Sequence, residues 1–254
     1  FSGDAKAPAT LRQLSHRIPW AKGTYEDAIG LPPAVYSDGA WHDFEMEAVF
    51  GSEWLCVGRQ EQIPNVGDYL AVTRAGEPLI VVRGADGEIS AMSAVCQHRG
   101  TCITASVDRA DDDMLDPPEW VSGNARQFRC PYHYWVYDLD GQLVGAPEMT
   151  RTTGFKVGDV RLPKIAVETW RGFVFVNFSS DPPALAPQLA KLDAALENYA
   201  VDDLITVDPV VMRDVPFNWK IMIENFMEMY HNSRLHHGIH DFAPSSGAWY
   251  ADHE

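Results

Sequence analysis

The sequence predicts an α+β fold, in which an all-β domain is followed by an incomplete domain of antiparallel strands and helices. Short β-prone runs between 54 and 167 are separated by turn signals such as Asp86-Gly87 and Asp140-Gly141, a pattern typical of small strands. Residues 217–237 contain neither glycine nor proline and are long enough for about five turns of helix. These patterns indicate a β domain first and a helix-bearing domain after it.

Composition and charge restrict the classes of function. The chain has 254 residues, of which 46% are hydrophobic, enough to bury a core in one large or two ordinary domains. A net charge of −16 argues against nucleic acid and anionic membranes as partners, and it suits a soluble protein that docks a basic redox partner. Four cysteines are too few for a disulfide scaffold. Because the sequence also lacks a signal-peptide core and a membrane-spanning run, we expect a reducing, cytoplasmic location.

The first predicted elements are an N-terminal arm and a helix over residues 1–51. Proline-rich sequence up to about residue 40 favours an extended arm with one short helix, and 41–53 is predicted to be an amphipathic helix that ends near Gly51. The β domain is predicted over 52–168. Its strands are expected at 54–57, 69–72, 78–82, 89–91, 128–129 and 135–137.

Residues 169–254 are predicted to be the first part of a second domain. It combines strands at 172–178 and 205–211 with helices at 184–199 and 217–237. The sequence does not begin with methionine and ends shortly after a histidine-rich stretch. We therefore expect it to be part of a longer chain.

The predicted helix at 217–237 has two faces of different chemistry. Large apolar residues share an arc that is expected to pack against a core: Trp219, Met222, Phe226, Met229 and Tyr230. A second arc holds Glu224, Asn225, Glu228 and His231.

The polar arc predicts a mononuclear metal site, because buried acids are costly without a partner and a metal ion supplies one. His231 and His236 are separated by about 140° on an ideal helix, so they share a metal only if the helix loosens or ends near 232–233. Two histidines near a carboxylate fit the facial triad of non-haem Fe(II) oxygenases, which leaves positions for oxygen and substrate. The alternative is a solvated helix face that happens to hold these residue types.

A second metal motif lies in the β domain, where Cys96-x-His98 is followed, after a spacer, by Cys130-x-x-His133. Each half brings together one thiolate and one imidazole. A Rieske-type [2Fe–2S] centre needs two thiolates on one iron and two imidazoles on the other. Structural zinc takes the same ligand set and is the alternative. The other two cysteines are predicted to be buried thiols: Cys56 and Cys102.

Three stretches together resemble the α subunit, or oxygenase component, of Rieske non-haem iron ring-hydroxylating oxygenases. They are CQHRG at 96–100, CPYHYWVYDLDG at 130–141 and ENFMEMYH at 224–231. The resemblance runs from about residue 41 to 237 and implies a Rieske domain followed by a helix-grip catalytic domain. It implies that the cluster ligands are Cys96, His98, Cys130 and His133. It also implies that the mononuclear Fe(II) is bound by His231 and His236.

The resemblance assigns roles to two further residues and implies partners. Glu228 occupies the position of a carboxylate that bridges an iron-ligating histidine and a cluster histidine of the next subunit, and Asn225 resembles an amide found near the iron. In that family a reductase, with or without a ferredoxin, supplies electrons, and O2 and a small organic substrate react at the iron. The expected assembly is a homotrimer or an α3β3 complex.

Three features depart from the family's pattern. Thirty-one residues separate the two halves of the cluster motif, because an acidic run at 108–120 lengthens the spacer. This run is predicted to be an exposed loop, either simply solvated or a docking site for an electron donor. Tyr134 stands where the family commonly has glycine. The family's third iron ligand has no match before Glu254, since Asp241 and Asp252 lie too close to the histidine pair.

The residues leave several functions open. The first expectation is hydroxylation of an organic, aromatic substrate. The alternative is monooxygenation of a quaternary ammonium or methoxy compound that ends in demethylation, and glutamate rather than aspartate at 228 resembles that branch. A pure Rieske electron-transfer protein would need neither 217–237 nor the residues beyond 168. A zinc-stapled binding module would be colourless.

Overall fold

The structure, a computed structural model, describes residues 30–104, 120–207 and 215–247. The chain divides into two compact units: a β unit of residues 1–4 and 44–209, and a helical unit of residues 5–43 and 210–254. The α+β class is confirmed, because the β unit is built on antiparallel sheets while short helices make up the described part of the helical unit.

A large antiparallel sheet of seven strands, in the order β1-β10-β9-β4-β3-β2-β5, forms the frame of the β unit, and a small sheet follows the order β6-β7-β8. The strand bounds are β1 Leu55–Arg59, β2 Asp68–Arg74, β3 Glu77–Arg83, β4 Ile89–Ser93, β5 Trp120–Asn124, β6 Phe128–Arg129, β7 Val136–Tyr137, β8 Leu143–Gly145, β9 Lys164–Trp170 and β10 Phe173–Asn177. The turn residues Ala75 and Gly76 both have positive φ, 52° and 79°, the conformation of tight hairpin turns. Strand β10 lies beyond the predicted end of the β domain at 168, yet it pairs with β1 and β9.

Both faces of the large sheet are buried at β3, which explains why this strand reads as a continuous apolar run. Ile80 and Val82 belong to one core cluster, whereas Leu79 and Val81 belong to the other. Each such side chain contributes about 1.5–3 kcal/mol when it is fully buried. The first cluster also contains the cysteines of both motif loops, so the hydrophobic core directly supports the candidate site.

The helices are short. Their bounds are α1 Ala34–Ser37, α2 Gly39–Glu45, α3 Leu185–Gln188, α4 Ala190–Ala195, α5 Trp219–Met227, α6 Asn232–Leu235 and α7 His237–His240. A π-helical turn, Met46–Phe50, extends α2 up to Gly51, where the sequence predicted the helix end. The predicted helix at 184–199 is present as α3 and α4. No helix in the described ranges has the length and apolar character needed to cross a membrane.

Most of 217–237 is helical, as predicted, but residues 228–231 divide it into α5 and α6. Helix α5 ends at Met227, and Glu228 is extended, with φ −126° and ψ 152°. The Glu228 carboxylate accepts hydrogen bonds from the backbone N–H groups of Tyr230 and His231, so the side chain competes with the helical hydrogen bonds. The predicted apolar arc is broken as well, since Phe226 and Tyr230 are 78% and 84% exposed.

Two smaller expectations also fail, and three lie outside the described residues. Residues 205–207 do not form a strand, because the Thr206 N–H and hydroxyl both donate to the Glu61 carboxylate. Cys56 is exposed because it lies on the edge strand β1, next to an irregularity in the pairing, whereas Cys102 is buried as predicted. The arm up to residue 29, the acidic run up to residue 119 and the strand residues 208–211 are outside the described residues.

Candidate functional site

The two motif loops of the β unit have the same backbone pattern. In each loop the N–H of the cysteine, Cys96 or Cys130, donates to the carbonyl five residues later, and the cysteine carbonyl accepts from the N–H four residues later. The fourth residue after each cysteine has positive φ, 74° at Gly100 and 60° at Tyr134. Gly100 and Tyr134 therefore occupy equivalent left-handed positions in the two loops, a conformation that glycine adopts most easily.

The loops bring like donors together. The thiols of Cys96 and Cys130 are buried, 2% and 1% exposed, and burial together with the nearby Cys96 raises the pKa of the Cys130 thiol. The rings of His98 and His133 meet edge to face, with 4.6 Å between their centroids. Two thiols on one side and two imidazoles on the other are the donor arrangement of a Rieske centre, in which each iron takes one like pair.

His98 passes a test of fit for a metal ligand. Its Nδ1 atom is buried and has no hydrogen-bond partner, a state that is rare for a ring nitrogen unless a metal or water occupies the position. The indole of Trp135 stacks on the imidazole at 4.7 Å and fixes the plane of the ring. Burial, and then electrostatic interactions with His133 and Arg99, lowers the pKa of His98, which favours the neutral, metal-binding form of its imidazole.

Tyr137 is a functional candidate that the sequence reasoning did not single out. Its hydroxyl lies 3.3 Å from Cys96 Sγ and accepts a hydrogen bond from the Gln97 N–H at 3.1 Å. Burial, and then the hydrogen bond with Cys96, raises the pKa of this fully buried tyrosine. The Gln97 N–H already occupies the oxygen, so the hydroxyl proton is available to the cysteine sulfur. Nothing in the residue pattern indicates this contact, since it joins positions 41 residues apart.

The helical unit brings together three of the four residues predicted there. Glu228 bonds the ring Nδ1 of His231 as well as its backbone N–H. The rings of His231 and His236 meet edge to face at 5.3 Å. Asn225 lies on α5 with an exposed side chain, and within the described part of the chain no hydrogen bond or ring contact joins it to the other three.

The described residues hold the histidine pair without a third ligand. No three His, Cys, Asp or Glu side chains in those ranges are placed to hold one metal ion, and Asp241 is exposed beyond α7. Asp252 lies outside the described residues. His240 was not singled out from the sequence, yet its Nδ1 is a second buried nitrogen that has no hydrogen-bond partner in the described part of the chain.

Taken together, the two sites define a class of redox metalloprotein, with a two-cysteine, two-histidine centre in a β domain and a histidine pair after it. Residues 53–166 match the Rieske [2Fe-2S] domain, and residues 196–253 match the ring hydroxylating alpha subunit (catalytic domain). The first match decides between cluster and zinc in favour of the cluster. The chain belongs to the family of Rieske oxygenase α subunits.

The chain is similar to relatives whose names indicate two kinds of substrate. It is 32% identical to a glycine betaine monooxygenase oxygenase subunit of Pseudomonas aeruginosa, over 83% of this chain and 46% of the relative. It is 33% identical to the biphenyl 2,3-dioxygenase subunit alpha of Rhodococcus jostii, over 82% of this chain and 43% of the relative. A quaternary ammonium Rieske monooxygenase crystallised with L-carnitine matches with a TM-score of 0.73 and 29% identity, over 87% of this chain and 59% of that one. The chain thus spans less than half the length of these two curated relatives.

Proposed function

We propose that this chain is the oxygenase component that takes single electrons through its Rieske cluster and uses O2 at a mononuclear Fe(II) to oxidise a small organic substrate. The observation that carries the proposal is the presence of both donor sets in one chain, a paired thiol and imidazole centre and a histidine pair oriented by a carboxylate. When bound, the cluster supplies one-electron transfer and the mononuclear iron supplies O2 activation.

The proposed cluster ligands are Cys96 and Cys130 for one iron and His98 and His133 for the other. The core holds both cysteines, while the imidazole of His133 is only half-buried. This places the histidine side of the centre toward the surface, where an electron partner has access. Hydrogen bonds to the sulfurs, such as that of Tyr137, set the potential of such clusters.

His231 and His236 are the proposed iron ligands, and Glu228 orients the first of them. A carboxylate that holds Nδ1–H of a histidine fixes the tautomer and leaves Nε2 free for the metal. The hydrogen bond from His231 lowers the pKa of Glu228, so that this side chain is a carboxylate at neutral pH. Asn225 is proposed to act near the iron, on the strength of the family resemblance alone.

The proposed partners are a reductase, with or without a ferredoxin, and further copies of the chain. A homotrimer or an α3β3 complex would place the cluster of one subunit beside the iron of the next, with Glu228 linking His231 to His133 of that neighbour. The structure of a quaternary ammonium Rieske monooxygenase, described as revealing inter-subunit electron transfer, supports this arrangement. The bridge would fix two imidazoles and couple the two centres.

A quaternary ammonium compound is the first substrate candidate, and an aromatic compound is the second. Oxygenase subunits for glycine betaine and carnitine are among the relatives, and glutamate at 228 resembles their branch. The aromatic candidate is supported by the biphenyl dioxygenase subunit, which is 33% identical to the chain. A reconstituted system given glycine betaine, carnitine, biphenyl or naphthalene separates the two, because demethylation releases formaldehyde whereas ring dihydroxylation yields a diol.

Glu228→Gln tests the proposed role of the carboxylate. The amide keeps the size of the side chain but cannot accept from both imidazoles, so we expect both metals to bind when Fe(II) is supplied in excess and substrate oxidation to fall by about 10–100-fold. Glu197→Gln, the same change at an exposed position of the β unit, is the matched control. Turnover equal to that of the unchanged protein, with both metals bound, would refute the bridging role.

A further inference from the structure

Tyr36 of the N-terminal helix α1 contacts α5 at three points. Its hydroxyl donates to Glu224 Oε1 at 2.6 Å. Its backbone carbonyl accepts a hydrogen bond from Asn218 Nδ2 at 3.2 Å. The ammonium of Lys220 lies 5.5 Å from the centre of its ring. Because these contacts reach both the first and the second half of α5, they restrain the rotation of this helix as well as its position.

Asn218 couples Tyr36 to the start of the helix. Its Oδ1 accepts from the Lys220 N–H at 3.1 Å and caps α5, while its Nδ2 holds the Tyr36 carbonyl. A capping side chain satisfies a backbone donor that has no partner within the helix. One amide therefore joins the N-terminal segment to the helix that leads to the iron site.

The hydroxyl contact is a strong one. A hydrogen bond to a carboxylate is charge-assisted, and this one is short, 2.6 Å between the two oxygens. Burial, followed by the hydrogen bond with Glu224, raises the pKa of Tyr36 to about 12. The phenol consequently remains a donor throughout the neutral pH range.

The far end of α5 carries the proposed iron site. The residue that ends the helix is Glu228, one helical turn beyond Glu224, and its carboxylate holds His231. Because Glu228 directly follows Met227, the last residue of α5, a helix that turns moves the backbone from which this carboxylate projects. The orientation of Glu228 depends on whatever prevents α5 from turning.

We propose that Tyr36 is a positioning residue for the mononuclear iron site, which holds α5 in the rotation that directs Glu228 to His231. This inference rests on the proposed function, because it assumes that the histidine pair binds iron. Tyr36 acts through the helix and does not touch the metal. The contact joins residues 188 positions apart, so helix α1 becomes a functional part of the unit that carries the proposed iron site.

The test is the affinity of the site for added Fe(II), measured on the full-length protein with its cluster in place. Tyr36→Phe removes only the hydroxyl, Glu224→Ala removes its acceptor, and Glu224→Gln retains an acceptor. Tyr199→Phe is the matched control, since this tyrosine is 65% exposed in the β unit. His231→Ala identifies the binding that belongs to the site.

We expect Tyr36→Phe to weaken Fe(II) binding about tenfold, at the lower end of the effect of substitutions outside the ligand set. Glu224→Ala should cause the same loss, the double variant no additional loss, and Glu224→Gln a partial recovery. The cluster signal and the Tyr199→Phe variant should be unchanged. A role in folding alone would lower the unfolding temperature and leave the affinity of the folded protein intact.

Two outcomes overturn the inference. One is an unchanged Fe(II) affinity in Tyr36→Phe, and the other is losses that multiply in the double variant, since independent effects exclude a shared contact. Both leave the proposed function standing, provided that the unchanged protein binds Fe(II) in a manner that depends on His231. If the unchanged protein shows no such binding, the proposed function and the inference fail together.

Discussion

Tyr134 occupies a backbone position that glycine adopts at lower cost. Its φ of 60° matches the 74° of Gly100 in the paired loop. A left-handed conformation costs a non-glycine residue about 1–2 kcal/mol, and the greater freedom of glycine in the unfolded chain offsets part of any gain. We expect Tyr134→Gly to raise the free energy of unfolding by about 0.5–1 kcal/mol, measured by denaturant titration of the cluster-loaded protein.

Tyr134→Ala is the matched control, because it removes the ring and keeps the strained backbone. The ring is 57% exposed, so its loss should change stability little. If the glycine variant is the less stable of the two, contacts of the chain at this position outweigh the strain and the prediction is wrong.

Tyr137 is predicted to raise the reduction potential of the cluster. Its hydroxyl is directed at Cys96 Sγ, and a hydrogen bond to a cluster sulfur stabilises the more negative, reduced state. We expect Tyr137→Phe to lower the potential by about 40 mV, the one-electron equivalent of a hydrogen bond worth about 1 kcal/mol. A redox titration followed by EPR measures this shift, with Tyr199→Phe as the control. An equal potential in the two variants would contradict the prediction.

The candidate cluster ligands could be proposed from the sequence alone because each cysteine lies two or three positions from a histidine. A thiolate and an imidazole two or three positions apart identify a centre without knowledge of the fold. Tyr137 and Tyr36 could not be predicted, since each acts through a partner that is distant in sequence. Only the folded backbone shows which hydroxyl meets which side chain.

At the scale of elements, α4 is fastened to the hairpin of β9 and β10 by one carboxylate. Asp193 accepts hydrogen bonds from Arg171 Nε at 2.6 Å and from Trp170 Nε1 at 3.1 Å. The hydrogen bond from Arg171 lowers the pKa of Asp193 below its ordinary value of 3.8. Because the pKa of Asp193 is lower in the folded state, this carboxylate stabilises the protein at pH values above 3.8. The contribution is lost as the pH falls through the folded-state pKa.

Asp193→Asn tests this link through its pH dependence. The variant should be less stable than the unchanged protein at neutral pH, and the difference should close in acid, where the native carboxyl is protonated too. Thermal unfolding from acid to neutral pH measures this difference in stability. Asp181→Asn, at an exposed position, is the control. A difference that does not vary with pH would mean that the carboxylate's charge has no part in the link.

The end of α5 shows where prediction from periodicity fails at this scale. The helical spacing of the apolar residues continues to Tyr230, so a helical-wheel projection predicts helix there. The Glu228 carboxylate instead takes the backbone N–H groups of Tyr230 and His231 and ends the helix. The break was expected at 232–233. Its earlier position frees Glu228 and the His231 ring to meet.

At the scale of the whole molecule, the sequence predicts that the cluster site precedes the iron site along the chain. It does not predict which parts of the chain form each compact unit. Motifs at 96–133 and 224–236 were sufficient to place the chain in its family, which both domain matches confirm. The compact units are discontinuous, since residues 5–43 join 210–254. No local pattern indicates such a pairing, because it depends on contacts such as that of Tyr36 with α5.

The measurement that tests the central claim most directly is metal analysis with EPR, before and after reduction by dithionite, on the full-length protein and on Cys130→Ser and His231→Ala. The reduced protein should give a Rieske-type signal, with two cluster irons and one mononuclear iron per chain. Cys130→Ser should lose the signal and the cluster irons, whereas His231→Ala should lose only the mononuclear iron. A colourless protein that holds zinc, or a signal that survives in Cys130→Ser, would contradict the account.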